Sequence, residues 1–91
     1  MNDLNKAREK FIKKLKEEDK SKSTIVAYNK DIEQLTEYLQ EEAVINTHDI
    51  KIDHLRGFTD ELAEKDYTKK SISRKINAIR TYISFLYEEG E

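Results

Sequence analysis

The chain has 91 residues, of which 36% are hydrophobic and 40% are charged. This length fits one small domain with a single core, and the composition is typical of a water-soluble protein. No apolar run reaches the ~20 residues that a membrane span needs, and the first residues lack the order of a signal peptide. The absence of cysteine excludes disulfides, thiolate catalysis and zinc fingers. We expect a cytoplasmic protein that does not bind a membrane.

The formal net charge of −2 conceals an uneven distribution along the chain. Residues 1–30 carry a net charge of +4, residues 31–66 carry −8, and residues 67–91 carry +2. Such asymmetry predicts a molecule with a basic side and an acidic side. A charged run can also be only a solvated face, so the pattern becomes informative if the basic residues meet on one surface.

The spacing of apolar residues predicts four helices joined by short polar breaks, over residues of about 3–18, 24–42, 53–65 and 68–88. Ser21 or Ser23 is a candidate N-cap for the second helix. In the connection that follows it, we expect Ile45 and Ile50 to point inward. Asp49 or Asp53 would cap the third helix.

Two glycines have distinct predicted roles. Gly57, within the third helix, costs roughly 1 kcal/mol relative to alanine and predicts close packing of another helix there. Gly90 suits the left-handed stop of the fourth helix. The chain has no proline, and the expected fold is all-α, a compact four-helix orthogonal bundle in a single domain over residues 1–91.

The fourth helix carries a basic face. Its predicted core stripe consists of Ile72, Ile76, Ile79, Ile83 and Leu86, widened by Tyr82. On a helical projection the opposite side, within about 120°, holds Lys70, Ser73, Arg74, Asn77 and Arg80. No acidic residue occurs between Lys69 and Tyr87. Lys75 projects near the core stripe, so its stem is expected to cover apolar surface.

No combination of residues points to catalysis or metal binding. His48 and His54, with the nearby Asp49 and Asp53, match no helical zinc motif, and we interpret them as polar neighbours of a helix start. There is no Gly-rich phosphate loop and no nucleophile elbow. We therefore expect no cofactor, no metal and no small-molecule substrate.

The basic face of the fourth helix is instead suited to DNA. Lysine and arginine neutralise phosphates, while serine, asparagine and arginine can fix register or reach base edges in the major groove. The predicted start of the second helix, Lys22-Ser23-Thr24, adds a cation, two hydroxyls and backbone amides that together can bind an anion.

Three segments in order resemble the core-binding domain of tyrosine recombinases, the N-terminal SAM-like domain of the phage integrase family. They are STIVAYNKDIEQLTEYL at 23–39, DHLRGF at 53–58 preceded by Ile50, and YTKKSISRKINAIRTYISFL at 67–86. The resemblance covers residues of about 4–90. Tyr28 matches an aromatic position of the family, although its place on the core arc favours a packing role.

The resemblance implies a four-helix DNA-binding module that closes on one side of a recombination-site duplex, with other recombinase protomers as partners. It places DNA contacts at the start of the second helix and on the exposed face of the last. The positions concerned are Lys22, Ser23, Thr24, Lys69, Lys70, Ser71, Ser73, Arg74, Asn77 and Arg80. The isolated domain is expected to be a monomer.

The family's chemistry requires a tyrosine nucleophile with arginines and an H-x-x-R motif. The nearest string, His54-Leu55-Arg56, has the wrong spacing, so we expect no catalysis by this chain and a catalytic domain beyond residue 91. One alternative is a helical protein–protein adaptor that uses the acidic region 31–66, with Val26 and Val44 as exposed apolar candidates. A helix-turn-helix regulator is a further alternative, although the turn near Asp66-Tyr67-Thr68 lacks the glycine often found there.

Overall fold

The first helix, α1, spans Leu4–Glu17 and begins at an aspartate cap. In the computed structural model, which describes residues 3–90, the Asp3 carboxylate accepts hydrogen bonds from the amides of Asn5 and Lys6 at 2.8 and 3.2 Å. The helix ends where Asp19 takes a left-handed φ of 58°. Met1 and Asn2, at the start of the segment that lacks signal-peptide order, and Glu91, which contributes to the charge of residues 67–91, lie outside the described residues.

The second helix, α2, spans Lys22–Glu41, and Ser21 is its N-cap. It packs against α1 and against the last helix, and its buried side includes Ile32, Leu35 and Leu39. It stops at Ala43, whose φ is 64°, and the Val44 amide then donates to the Leu39 carbonyl at 2.8 Å. This hydrogen bond defines a Schellman stop, which turns the chain back against the core.

The Schellman stop at Ala43 directs Val44 into the core, and Ile45, which was predicted to point inward, lies at the surface. Val44 is 3% exposed and belongs to the core, whereas Ile45 is 67% exposed, so the expectation that Ile45 points inward is wrong. The backbone of Ile45 explains its position, because its carbonyl accepts from the Leu4 amide at 3.3 Å and ties the connection to the start of α1. Ile50 packs against the core as expected.

The third helix, α3, spans Ile52–Glu64 after a short 3-10 turn at Thr47–Asp49. Neither Asp49 nor Asp53 caps it, contrary to prediction. Asp49 lies in the 3-10 turn and Asp53 is already inside the first turn of the helix. His54 reaches back instead, and its Nδ1 accepts from the Lys51 amide at 3.0 Å.

The fourth helix, α4, spans Lys69–Glu88, and Thr68 is its N-cap. Gly90 follows it with a φ of 77°, so the predicted left-handed stop is confirmed. Its buried face is rotated from the predicted stripe. Ile79, Tyr82 and Leu86 are buried as predicted, but Ile72, Ile76 and Ile83 are only half-buried. Ala78 and Phe85, outside the predicted stripe, are buried. The reason is that α4 packs against three other helices, and the isoleucines lie at the edge of this contact.

One core joins the four helices of the described residues. Phe11 lies between Tyr82 and Phe85, with ring centroids 5.1 and 5.4 Å away. The radius of gyration is 12.6 Å, as expected for a compact chain of this length. The all-α, four-helix prediction is confirmed. Within residues 3–90 no helix is long and apolar enough to cross a membrane.

Candidate nucleic-acid interface

The start of α2 presents part of the predicted site. Lys22 and Ser23 are exposed in its first turn, where backbone amides have no acceptor within the helix. Thr24 has a different role. Its amide donates to the Ser21 Oγ at 3.1 Å, and its own Oγ1 accepts from that hydroxyl at 2.8 Å. Thr24 therefore belongs to the helix cap, which leaves Lys22 and Ser23 as the available groups.

The start of α4 repeats the same arrangement. The Ser71 amide donates to the Thr68 Oγ1 at 3.1 Å, and the Thr68 hydroxyl donates to the Ser71 Oγ at 3.1 Å. Ser71 is thus part of a cap, as Thr24 is. Lys69 and Lys70, which precede it, are exposed. At both helix starts, lysines lie on the surface while a pair of hydroxyls stabilises the first turn.

Arg74 is held by a buried carboxylate from α2. Its Nε donates to Asp31 Oδ2 at 3.1 Å, and its Nη2 donates to Asp31 Oδ1 at 3.0 Å. The Asp31 side chain is 0% exposed, whereas 47% of the Arg74 side chain remains exposed. These hydrogen bonds raise the pKa of Arg74, despite the opposing effect of partial burial. Arg74 is therefore a fixed, permanently charged group at the surface.

Lys75 shares the same carboxylate from inside the protein. Its Nζ donates to Asp31 Oδ1 at 3.0 Å and to Gln34 Oε1 at 2.8 Å, and it lies 5.0 Å from the centre of the Tyr67 ring. Gln34 in turn donates to the Tyr67 hydroxyl at 3.0 Å. The predicted burial of the Lys75 stem is confirmed, but the ammonium is buried too, because it has a carboxylate partner.

A groove of about 600 Å³ brings the first half of α2 together with Arg74, in the second turn of α4. Its charged lining consists of Lys22, Lys30 and Arg74, and the other lining residues are Ser23, Val26 and Ala27. Sequence reasoning identified Lys22, Ser23 and Arg74 but missed Lys30 and the supporting Asp31. The available signal for Asp31 was its position three residues after Tyr28 and four before Leu35, on the predicted core face of the helix, where only a paired charge is tolerated.

The remaining predicted contacts extend along α4 away from this groove. Ser73 and Asn77 are exposed on the same helix. Arg80 lines a separate groove between α3 and α4, together with Ile52, Leu55 and Ile76. The described structure therefore brings Arg74 next to the start of α2 but does not bring Arg80 there.

Two pairs of lysines in α1 and the turn that follows it have different surroundings. Lys10 pairs with Glu89, directly after α4, at 2.6 Å. Lys14 pairs with Glu88, the last residue of α4, at 3.1 Å. By contrast, Lys16 and Lys20 line a groove beside Lys22 and Val26, and Asp19 lines the same groove. The two lysines outnumber this carboxylate, so they add positive charge next to the start of α2.

Comparison with known families matches residues 9–90 to "Phage integrase, N-terminal SAM-like domain". Among similar curated proteins, tyrosine recombinase XerC of Roseiflexus castenholzii is 31% identical over 88 residues, covering 96% of this chain and 28% of the relative. XerC of Bacillus licheniformis is 36% identical over 73 residues, covering 80% and 24%. XerD of Rickettsia bellii is 33% identical over 70 residues, covering 77% and 23%.

No solved structure matches the chain. The chain spans about a quarter of the length of these three curated relatives. The family match nevertheless covers nearly all of this sequence and agrees with the four-helix fold. The chain belongs to the family of phage-integrase N-terminal SAM-like domains.

Proposed function

We propose that this chain is a DNA-binding module of a site-specific tyrosine recombinase and that it clamps one side of duplex DNA. The observation that carries the proposal is the convergence of Lys22, Lys30 and Arg74 in one groove, although these residues come from separate turns and helices. Clustered cations that release counterions from DNA account for most non-specific affinity. The relatives' names, tyrosine recombinases XerC and XerD, support the same function.

In this proposal the exposed residues of α4 continue the contact along the duplex. Lys69 and Lys70 bind phosphates, while Ser73, Asn77 and Arg80 add contacts further along the helix. Thr24 and Ser71 act indirectly by stabilising the helix starts. Lys16 and Lys20 extend the positive surface toward α1. The module binds as a monomer through residues of a single domain.

We further propose that this chain does not catalyse strand exchange by itself. A tyrosine nucleophile and its H-x-x-R partners would lie in the part of a recombinase that this stretch does not match, and other protomers would join on the same DNA site. Incubation of the 91-residue chain with a nicked recombination-site duplex should yield no covalent protein–DNA product on a denaturing gel.

The test of DNA binding is an amide NMR titration with a mixed-sequence duplex at low and then physiological salt. We expect shifts at Lys22, Ser23, Lys30 and along residues 69–80, fading as salt rises. Unchanged amides at low salt would refute the proposal. Shifts confined to the acidic region 31–66 would favour the adaptor alternative, for which the burial of Val44 already removes one of the two apolar candidates.

A further inference from the structure

The buried Asp31 carboxylate has a role beyond joining two helices. We propose that Asp31 is a positioning residue, which fixes the Arg74 guanidinium so that its remaining edge binds a DNA phosphate in the groove beside Lys22 and Lys30. This inference rests on the proposed function. It names the ligand group at that surface and the residue that prepares the surface for it.

The hydrogen bonds leave a defined part of Arg74 available. A guanidinium has five N–H donors. Asp31 accepts from Nε and from Nη2, one oxygen for each, which is a side-on arrangement. The Nη1 donors and the second Nη2 donor are left over. They form the end-on edge, whose spacing matches two oxygens of a phosphate.

The surroundings of Arg74 favour phosphate as the ligand. Lys22 and Lys30 line the same groove, and Ser23 adds a hydroxyl at its edge. The Asp31 carboxylate lies beneath the surface and is inaccessible to solvent, so it supports Arg74 from behind. A fixed arginine loses little side-chain freedom on binding, whereas an unsupported one must be ordered at that moment.

Lys75 preserves the positive charge of the cluster that Asp31 and Arg74 form with it. If Asp31 paired with Arg74 alone, the two charges would neutralise each other at the DNA surface. Because Lys75 also donates to Asp31, one carboxylate is shared by two cations, and the cluster keeps a net positive charge. Asp31 thus orients Arg74 without removing the positive charge that attracts a phosphate.

The proposal and simple electrostatics predict opposite effects for Asp31→Asn. Removing a negative charge near a DNA-binding surface should tighten binding if only net charge matters. If Asp31 positions Arg74, the same substitution should weaken binding. The sign of the change in affinity therefore separates the two explanations.

The experiment is a double-mutant cycle on duplex affinity, measured by fluorescence anisotropy. Asp31→Asn alone leaves the Lys75 ammonium buried without a carboxylate and threatens folding. The cycle is therefore made in a Lys75→Met background, a substitution that keeps a long apolar stem. All four proteins carry Lys75→Met. One has no other substitution, the second adds Asp31→Asn, the third adds Arg74→Ala, and the fourth adds both. The protein with Lys75→Met and Arg74→Ala leaves the buried Asp31 carboxylate without a cation. Circular dichroism therefore verifies that each protein is folded at the assay temperature, and Arg74→Lys, which keeps a cation beside Asp31, replaces Arg74→Ala if that protein is unfolded.

Lys75→Met is the reference protein of the cycle, and we expect it to bind DNA more weakly than the wild type because Asp31 then pairs with Arg74 alone. Adding Asp31→Asn should weaken binding about fivefold, as contacting residues are coupled. In the Arg74→Ala background, Asp31→Asn should have no further weakening effect. Equal weakening with and without Arg74, or tighter binding in the Arg74-containing protein, would overturn the positioning role.

The salt dependence tests whether the ligand is phosphate. Loss of one phosphate contact in Arg74→Ala should reduce the slope of log K against log[salt] by about 0.9, with similar loss on duplexes of different sequence. An unchanged slope, with loss only on certain sequences, would overturn the phosphate assignment in favour of a base edge. Failure of the wild-type chain to bind any duplex at low salt would instead refute the proposed function.

Discussion

The Tyr38 hydroxyl of α2 occupies the space in which a side chain at Gly57 of α3 would project. The Tyr38 ring also packs on Phe58, with centroids 5.3 Å apart. Gly57 thus exists for close helix packing, as its position within a helix predicted. The contact is specific, because an added Cβ would clash with the hydroxyl oxygen but lie at an ordinary 3.5 Å from the ring carbon Cζ.

Gly57→Ala should therefore destabilise the fold by about 1–3 kcal/mol through overpacking, despite the better helix propensity of alanine. Tyr38→Phe removes the clashing atom and should restore most of this loss in the double variant. Urea unfolding followed by circular dichroism measures both. Tyr38→Phe alone is the control and should be nearly neutral, since its hydroxyl lies 3.5 Å from Glu42. A double variant no more stable than Gly57→Ala would contradict the packing explanation.

Ala43→Gly should stabilise the chain by up to about 1 kcal/mol, because Ala43 has the left-handed φ of 64° that glycine adopts without a steric penalty. The matched control is Ala27→Gly in the interior of α2, which should lower stability by about 1 kcal/mol. Urea midpoints report both changes. If the two substitutions shifted the midpoint in the same direction, the stop at Ala43 would not carry the expected strain.

Phe11→Ala should lower the unfolding free energy by about 3–5 kcal/mol, a large share of the about 5–14 kcal/mol expected for a chain of this length. The reason is that Phe11, 1% exposed, fills the space between α1 and α4. Thermal unfolding provides the measurement, with exposed Lys13→Ala on the same helix as the control. A small effect of Phe11→Ala would mean that α1 frays from the bundle in solution.

Acid should remove the contribution of the Lys10–Glu89 pair. The hydrogen bond and charge of Lys10 lower the pKa of Glu89 below its ordinary value of 4.5. A lowered folded-state pKa means that the carboxylate stabilises the fold above the ordinary value, and this stabilisation is lost as pH falls through the folded value. The urea midpoint of Glu89→Gln should therefore lie below that of the wild type at neutral pH and converge with it in acid, once pH has fallen through the folded value.

The neighbouring Lys14–Glu88 pair responds at the other end of the scale. The hydrogen bond that Lys14 donates to Glu88 raises the pKa of Lys14 above 10.5, so the contribution of this pair is present at neutral pH and is lost only as pH rises through the raised value. The control for Glu89→Gln is Glu64→Gln, which removes an exposed carboxylate at the end of α3 and so reports general effects of charge. A midpoint difference for Glu89→Gln that is independent of pH would exclude the proposed ionic contribution.

Lysines that line the groove beside Arg74 and lysines that pair with carboxylates should differ in their effect on DNA binding. Lys22→Gln and Lys30→Gln each remove a groove cation, and each should reduce the salt slope by about 0.9. Lys10→Gln and Lys14→Gln change the charge equally but remove partners of Glu89 and Glu88, so their slopes should stay near the wild type. Anisotropy titrations over a range of salt concentrations compare the four. Equal slopes for all variants would place the DNA elsewhere on the chain.

Local sequence signals specify the helices and most of their ends. The spacing of apolar residues, together with the caps at Thr68 and Gly90, depends only on residues close in sequence. These signals can therefore be interpreted without knowing the fold. The prediction failed where a short-range pattern was ambiguous. Val44 and Ile45 are both apolar neighbours in a connection, and only the left-handed turn at Ala43 decides which of them faces the core.

The construction of the candidate site depends on how the helices pack against one another. Residue type marked Lys22 and Arg74 as suited to DNA, but their meeting in one groove depends on the packing of α2 against α4. The pairing of Asp31 with Arg74 spans 43 positions of the chain, and helical periodicity carries no information about such distant partners. The rotation of α4, set by contacts with three other helices, placed Lys75 inside and Arg74 at the surface.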